Sequence, residues 1–172
     1  MKTTIIKLIE QHIPGNLRTN QKDWISQFLS PDKQDKFVLL TGERQSGRTS
    51  IGVGMLVSTL LLRPETRCIS LSKTHKVNEH QEIAIKLIDN FAQEFNLPNL
   101  ITRKNRHEVE LANGSKIFFS HVSSTSVRGM SVEAIFLDAN APTLDNISMD
   151  LMNSIIPSIY GSRGKLIISL GD

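Results

Sequence analysis

The stretch that most constrains the fold is Phe37 to Thr49, FVLLTGERQSGRT. An apolar run ends just before Gly42, Gly47 follows five positions later, and Arg48 and Thr49 come directly after it. This is the spacing of a phosphate-binding loop, G-x-x-x-x-G-K-[ST], with arginine in place of lysine. It predicts a buried strand, a tight turn, and a helix whose N-terminus presents N–H groups to phosphate oxygens.

The loop predicts a set of phosphate-binding residues: Gly42, Gln45, Ser46, Gly47, Arg48, Thr49 and Ser50. The Thr49 hydroxyl would also complete the shell of a magnesium ion. Two glycines at this spacing also occur in strand-turn-helix units that bind no ligand. A second element is therefore needed, and Asp138 supplies it at the end of an apolar run, where the carboxylate of a neighbouring strand would face the magnesium ion.

The composition sets the class of protein. A chain of 172 residues with 39% hydrophobic residues suits one domain with a proper core. The net charge of +3 permits an anionic partner without requiring one. Cys68 has no partner cysteine, so we expect a small buried side chain and no disulfide or cysteine-based metal site. The sequence shows no secretory signal and no membrane span, which makes the cytoplasm the expected compartment.

The apolar periodicity predicts helices over residues 4–13, 17–29, 49–63, 74–95 and 149–156. Thr19 or Asn20 is the expected N-cap of the second helix, Trp24 its core anchor, and Pro157 the end of the last helix. Gly52 and Gly54 predict close packing of the third helix against the sheet.

Strands are predicted over residues 37–40, 66–72, 134–137 and 166–169, with a hairpin that turns at Asn113-Gly114. Short apolar strands that alternate with helices predict an α/β fold of the P-loop NTPase type. Its mainly parallel sheet would carry helices on both faces and an inserted β-hairpin.

Hydrolysis is doubtful for two reasons. Ala139 follows Asp138 where ATPases of this design have glutamate, and general-base assistance is typically worth about 10²–10⁴ in rate. Arg48 is bulkier and more rigidly forked than the usual lysine. Glu43 and Asp145 are nearby carboxylates, but the sequence gives no reason to choose either as a substitute base. Phosphate binding is thus the better-supported expectation.

Six segments in order carry a family resemblance: NQKDW (20–24), GERQSGRTS (42–50), LANGSKIFF (111–119), SVRGMS (126–131), IFLDA (135–139) and KLIISLG (165–171). Together they resemble the ATPase domain of the large terminase subunit of tailed phages, the motor that packages DNA into the capsid. The resemblance runs from about residue 17 to the end. It implies a single ATPase-like domain over residues 1–172, with a helical segment over 1–31 and a phosphate-loop core over 32–172.

The resemblance assigns roles to single residues. Gln21 would recognise adenine, with a surface amide on a helix as the alternative. Arg44 would sense or stabilise the γ-phosphate. Arg128 would be a catalytic finger that reaches a neighbouring subunit's nucleotide, with a loop arginine bonded to backbone carbonyls as the alternative. Asp138 would coordinate magnesium, and Ser169 lies at the family's coupling motif.

The resemblance also implies ATP and Mg²⁺ as cofactors. The implied partners are double-stranded DNA, the portal, other terminase subunits or further copies of the chain, without a membrane. The lid subdomain and nuclease domain of a complete large terminase are expected to be absent. The paired departures at Arg48 and Ala139 favour a naturally short relative over an excised fragment.

Three interpretations stay open at this point. The chain is an ATPase domain that hydrolyses ATP slowly or only when assembled, or a non-catalytic relative that binds a motor subunit, DNA or another partner. The third interpretation is that the chain is a helicase fragment. This interpretation accounts poorly for the Val127-Arg128-Gly129 and Asn113-Gly114-Ser115 elements.

Overall fold

A computed structural model describes residues 7, 9–10, 17–29, 37–42, 46–139, 141–160 and 164–171. Its four long helices are α1 (Thr19–Phe28), α2 (Arg48–Leu62), α3 (Val77–Glu94) and α4 (Met149–Tyr160). Short 3₁₀ turns cover Thr74–Lys76 and Leu144–Asn146. Of the helix predicted over residues 4–13, Lys7, Ile9 and Glu10 are helical and the rest lies outside the described residues.

The strands form one seven-stranded sheet: β1 (Phe37–Leu40), β2 (Arg67–Ser72), β3 (Ile101–Lys104), β4 (Glu108–Leu111), β5 (Lys116–His121), β6 (Ala134–Asp138) and β7 (Lys165–Ser169). Their spatial order is β1-β7-β6-β2-β5-β4-β3. The five strands from β1 to β5 in this order are parallel, and β4 and β3 continue the sheet antiparallel. The predicted α/β fold with an inserted hairpin is confirmed.

The sheet separates two apolar clusters. Side chains on one face pack with α1, α2 and α3, and those on the other face pack with α4. Because successive strand residues point to opposite faces, Phe136 lies in the first cluster and Leu137 in the second. Trp24 and Cys68 are buried in the first cluster, as predicted.

Close packing of α2 against the sheet matches the prediction at Gly52, whereas Gly54 packs against Ile9 outside the sheet. A Cβ atom on Gly52 would lie 2.3 Å from the Phe136 ring, and one on Gly54 would lie 2.8 Å from the Ile9 side chain. Helix α2 therefore approaches β6 more closely than any larger residue at position 52 would allow.

Three details differ from the sequence-based expectations. The N-cap of α1 is Arg18 rather than Thr19 or Asn20, because the Gln21 side chain accepts a hydrogen bond from the Arg18 N–H at 2.8 Å. Helix α4 continues through Pro157 to Tyr160; proline removes one backbone bond, while buried Ile155 and Ile159 hold the helix on the sheet. Strand β3 was not predicted.

The sequence predicts that β1 is a buried strand. In the structure β1 lies at the sheet edge and is buried on one face only. Val38 and Leu40 are fully buried, whereas Phe37 is 44% and Leu39 37% exposed. Among the described helices, none is long and apolar enough to cross a membrane.

Candidate functional site

The sheet brings the phosphate-loop strand and the acidic strand end to the same edge. Leu40, the last residue of β1, pairs with Ser169 of β7, and Ser169 pairs with Asp138 of β6. The three residues form one row across the sheet. Two strand spacings therefore separate the end of β1 from Asp138, a distance of about 10 Å. The sequence predicts Asp138 on a strand next to the loop strand, but β7 lies between β1 and β6, so Asp138 shares the edge of the sheet with the loop at one strand further away.

The loop ends in the first turn of α2. Gly47 precedes the helix with φ of 76°, a left-handed conformation that favours glycine, and no side chain in the described part of the chain caps the helix. Thr49 and Ser50 lie in the first turn. The hydroxyl of Ser46 is buried and has no hydrogen-bond partner among the described residues. An uncapped helix N-terminus beside an unpaired buried hydroxyl is a suitable environment for an anion.

Three predicted residues of the loop, Glu43, Arg44 and Gln45, lie outside the described residues. Gly42 marks the start of the loop, directly after β1, and its hypothetical Cβ would lie 3.4 Å from the Ser46 hydroxyl. The Ser46 hydroxyl therefore lies close to the backbone of Gly42.

Arg48 joins the ends of two strands. Its guanidinium donates to the carbonyl oxygens of Gly42, after β1, and Leu170, after β7. The group lies directly over Gly171, where a Cβ atom would come within 2.1 Å of the Arg48 Nη1 atom. The side chain predicted to hold a phosphate is thus engaged with backbone carbonyls.

Gln21 is buried and makes hydrogen bonds with both ends of its amide. The Oε1 atom accepts from the Arg18 N–H, and the Nε2 atom donates to the Ser46 carbonyl at 2.8 Å. Only 3% of the residue is exposed, so Gln21 is not the surface amide that was the alternative. It links the start of α1 to the candidate loop before α2. Recognition of adenine would require the amide to exchange these partners.

We expect Gln21→Ala to lower the free energy of unfolding by about 1–3 kcal/mol, since the Ser46 carbonyl loses its buried donor. The matched control is Gln27→Ala in the same helix, where the side chain is exposed. Urea denaturation followed by circular dichroism measures both changes. Equal losses in the two variants would contradict a bridging role for Gln21.

Asp138 lies in a cluster that the sequence did not predict. Its Oδ2 atom is 3.5 Å from Lys76 Nζ and 3.4 Å from His80 Nε2. The other ring nitrogen of His80, Nδ1, shares a 2.7 Å hydrogen bond with the Ser70 hydroxyl, and the ring stacks on Phe136 at a centroid distance of 5.4 Å. Helix α3 and strands β2 and β6 thereby hold the carboxylate in place.

The charge state of Asp138 follows from these contacts. Burial alone would raise the pKa of the carboxyl, but the contacts with His80 and Lys76 outweigh burial and hold the pKa below its ordinary value of 3.8. Asp138 is therefore an anion at neutral pH.

These residues fit a magnesium ion poorly. Magnesium requires near-octahedral oxygen ligands at about 2.0–2.1 Å, yet the Oδ2 atom of Asp138 already faces the Lys76 ammonium and the His80 ring. In the described ranges, no three Asp, Glu, His or Cys side chains come together as a metal site. Of the two predicted ligands, Thr49 and Asp138, the carboxylate could take a magnesium ion at Oδ2 only if Lys76 moved.

The remaining predicted residues lie in different places. Ser169 is buried beside Asp138 in the same row of the sheet. Arg128 is exposed and lines a surface cleft of about 460 Å³ along α4, together with Asp150 and Ser154. None of the contacts in the described structure joins Arg128 to the loop or to Asp138. The structure thus places Ser169 in the site and Arg128 outside it.

Sequence reasoning missed Lys76 and His80. His80 lies between Val77 and Ala84 on the buried face of α3, at helical spacing, so its burial was readable from the sequence. Lys76 follows β2, and only the adjacency of β2 and β6 brings it to Asp138.

Structural comparison identifies the fold. The HK97 bacteriophage large terminase superposes with a TM-score of 0.70 at 18% identity, over 99% of this chain and 37% of that chain. The Thermus phage P74-26 large terminase ATPase domain superposes with a TM-score of 0.67 at 17% identity, over 94% of this chain and 67% of that chain. The chain has the fold of a phage large terminase ATPase domain.

A large terminase from a thermophilic bacteriophage gives a TM-score of 0.62 at 11% identity, over 91% of this chain and 39% of that chain. The present chain thus spans under two fifths of two of these large terminase chains and about two thirds of the isolated ATPase domain. Comparisons with protein-family models and with curated protein sequences gave no match.

Proposed function

We propose that the chain is a terminase-like module that binds a nucleoside triphosphate at the loop between β1 and α2 and hydrolyses it weakly or not at all. The observation that carries the proposal is the buried Ser46 hydroxyl. It lacks a partner among the described residues and lies beside the uncapped N-terminus of α2. A phosphate oxygen would satisfy that hydroxyl and the free N–H groups of the first helical turn together.

The arrangement around the loop supports a nucleotide over a simple anion. Asp138 lies two strands away in the same row as the end of β1, so a chain of phosphates that reached from the loop to Asp138 would cross the end of β7. Thr49 lies in the first turn of α2, at the helix end that would face those phosphates. The terminase ATPase fold, found in the structural comparison, agrees with this interpretation.

Weak hydrolysis follows from two side chains. Ala139 is half-buried against the second apolar cluster and has no proton acceptor. The Nη1 atom of Arg48 is engaged with the Gly42 and Leu170 carbonyls, and the guanidinium is bulkier than the usual ammonium. The same features of Ala139 and Arg48 favour a second candidate function. In it the chain is a non-catalytic terminase-like protein that binds a motor subunit, DNA or another partner.

The proposal places the chain with a phage DNA-packaging assembly in the host cytoplasm. The partners would be double-stranded DNA, the portal, other terminase subunits or copies of the chain. Arg128 is exposed on the α4 side, and a finger that acts on a neighbouring subunit needs this exposure.

A glycine substitution tests nucleotide binding. Gly47→Ala should weaken binding of a fluorescent ATP analogue by about tenfold or more, because the backbone at φ of 76° must shift to accept a Cβ atom. Gly114→Ala is the matched control: Gly114 has φ of 80° but lies in the hairpin turn. Both variants should lose about 1–2 kcal/mol of stability.

Fluorescence anisotropy measures the two affinities, and circular dichroism shows that both variants are folded. The proposal requires that only Gly47→Ala lose affinity. An unchanged affinity in that variant, or an equal loss in Gly114→Ala, would refute a binding site at this loop.

A further inference from the structure

We propose that the Lys76 ammonium takes, at Asp138, the place of a divalent cation, so that the chain binds nucleoside polyphosphates without magnesium. This inference rests on the proposed phosphate site at the loop. It adds a binding residue, Lys76, and a ligand class, the metal-free polyphosphate.

The fold places Lys76 for this role. It ends the 3₁₀ turn Thr74–Lys76 that joins β2 to α3, and β2 lies next to β6 in the sheet. The Nζ atom therefore reaches the Asp138 carboxylate from the neighbouring strand, at 3.5 Å. The ammonium lies at the carboxyl edge of the parallel strands, where ligands of open α/β sheets bind.

Lys76 has donors left for a ligand. An ammonium group has three N–H donors, and in the described structure the Lys76 ammonium contacts only Asp138. Its side chain is 30% exposed, whereas that of Asp138 is 7% exposed. The carboxylate thus fixes the position of the charge, and the partial exposure of the lysine leaves its remaining donors accessible to a ligand. A lysine binds phosphate well as a compact point charge.

The residues around Asp138 disfavour the replacement of the Lys76 ammonium by a metal ion. His80 contacts the same Oδ2 atom from the core, and Ser70 fixes the orientation of the ring. A magnesium ion at this oxygen would have to displace Lys76 or stay beside its positive charge. Arg48, the basic residue of the loop, donates through Nη1 to two backbone carbonyls and makes no contact with Asp138 in the described structure.

The test is a binding measurement with two metal conditions. A fluorescent ATP analogue is titrated into the full chain, once with excess magnesium and once with EDTA. We expect the two dissociation constants to agree within about twofold. An affinity that is about tenfold or more higher with magnesium would overturn the inference while leaving the proposed site intact. No saturable binding in either condition would instead overturn the proposed function itself.

Variants assign the effect to Lys76. Lys76→Ala should weaken binding in EDTA by about tenfold or more, and magnesium should restore part of the loss because Asp138 becomes accessible. Lys73→Ala is the matched control, since Lys73 is exposed three residues earlier and makes no contact with Asp138 in the described structure. Equal behaviour of the two variants in EDTA would overturn the role of Lys76.

Discussion

Phe136→Ala should lower the free energy of unfolding by about 3–5 kcal/mol, the loss expected for a fully buried aromatic ring. The ring packs against Gly52 of α2 and stacks on His80 of α3, so it joins two helices to the central strand β6. Phe37→Ala is the control on an edge strand: Phe37 is 44% exposed, and its loss should cost about 1 kcal/mol or less. Similar losses in the two variants, measured by urea denaturation, would contradict the packing described for β6.

A second substitution tests the contact between Gly52 and Phe136. Alone, Gly52→Ala should destabilise the protein by about 1–3 kcal/mol, because the added methyl overlaps the ring. In the Phe136→Ala background the same change should stabilise it, since the methyl enters the vacated space and alanine favours a helix over glycine by about 1 kcal/mol. A double-mutant cycle without this change of sign would show that the two residues are not in contact.

The paired change Arg48→Lys and Ala139→Glu should produce ATP hydrolysis about 10²–10⁴ faster than in the unchanged chain. A single guanidinium nitrogen, Nη1, donates to both the Gly42 and Leu170 carbonyls. Lysine would replace the guanidinium with a compact ammonium, which binds a phosphate as a point charge. Glutamate at position 139 adds the missing proton acceptor beside Asp138.

The matched control for this experiment is Arg48→Lys with Ala139→Gln, which has nearly the same shape but no basic carboxylate. Phosphate release is measured in all variants, after circular dichroism shows that each is folded. Rates that are equal in the glutamate and glutamine variants would contradict the assignment of position 139 to general-base catalysis.

The strands and their order of appearance could be predicted because each is a short apolar run bounded by turn residues. Strand β3 was missed for a physical reason: Ile101 is half-buried, but Thr102, Arg103 and Lys104 are exposed at the sheet edge. An edge strand of this kind has little apolar alternation, so the sequence gives no strand pattern.

The predicted start of α1 lies one or two residues too late for a related reason. Thr19 and Asn20 are good N-cap residues by type, but the side chain of Gln21 bonds to the N–H of Arg18. The bond that ties Gln21 to the Ser46 carbonyl joins residues far apart in sequence. Local preference alone therefore could not place this helix end.

The strand before Gly42 and the helix that begins after Gly47 could be predicted, because they depend on local spacing. The contacts of Arg48 with Leu170 and of Lys76 with Asp138 depend on which strands are neighbours. Strand order is a property of the whole fold. Parallel strands are joined by long crossover connections, so local sequence patterns do not show which strands are neighbours.

The central claim is that the loop binds nucleoside triphosphate without appreciable turnover. Equilibrium dialysis with radiolabelled ATP, followed by assay of released phosphate in the same samples, measures both properties together. We predict saturable binding with phosphate release at the level of buffer alone. Absence of saturable binding, or phosphate release that Asp138→Asn abolishes, would contradict the claim.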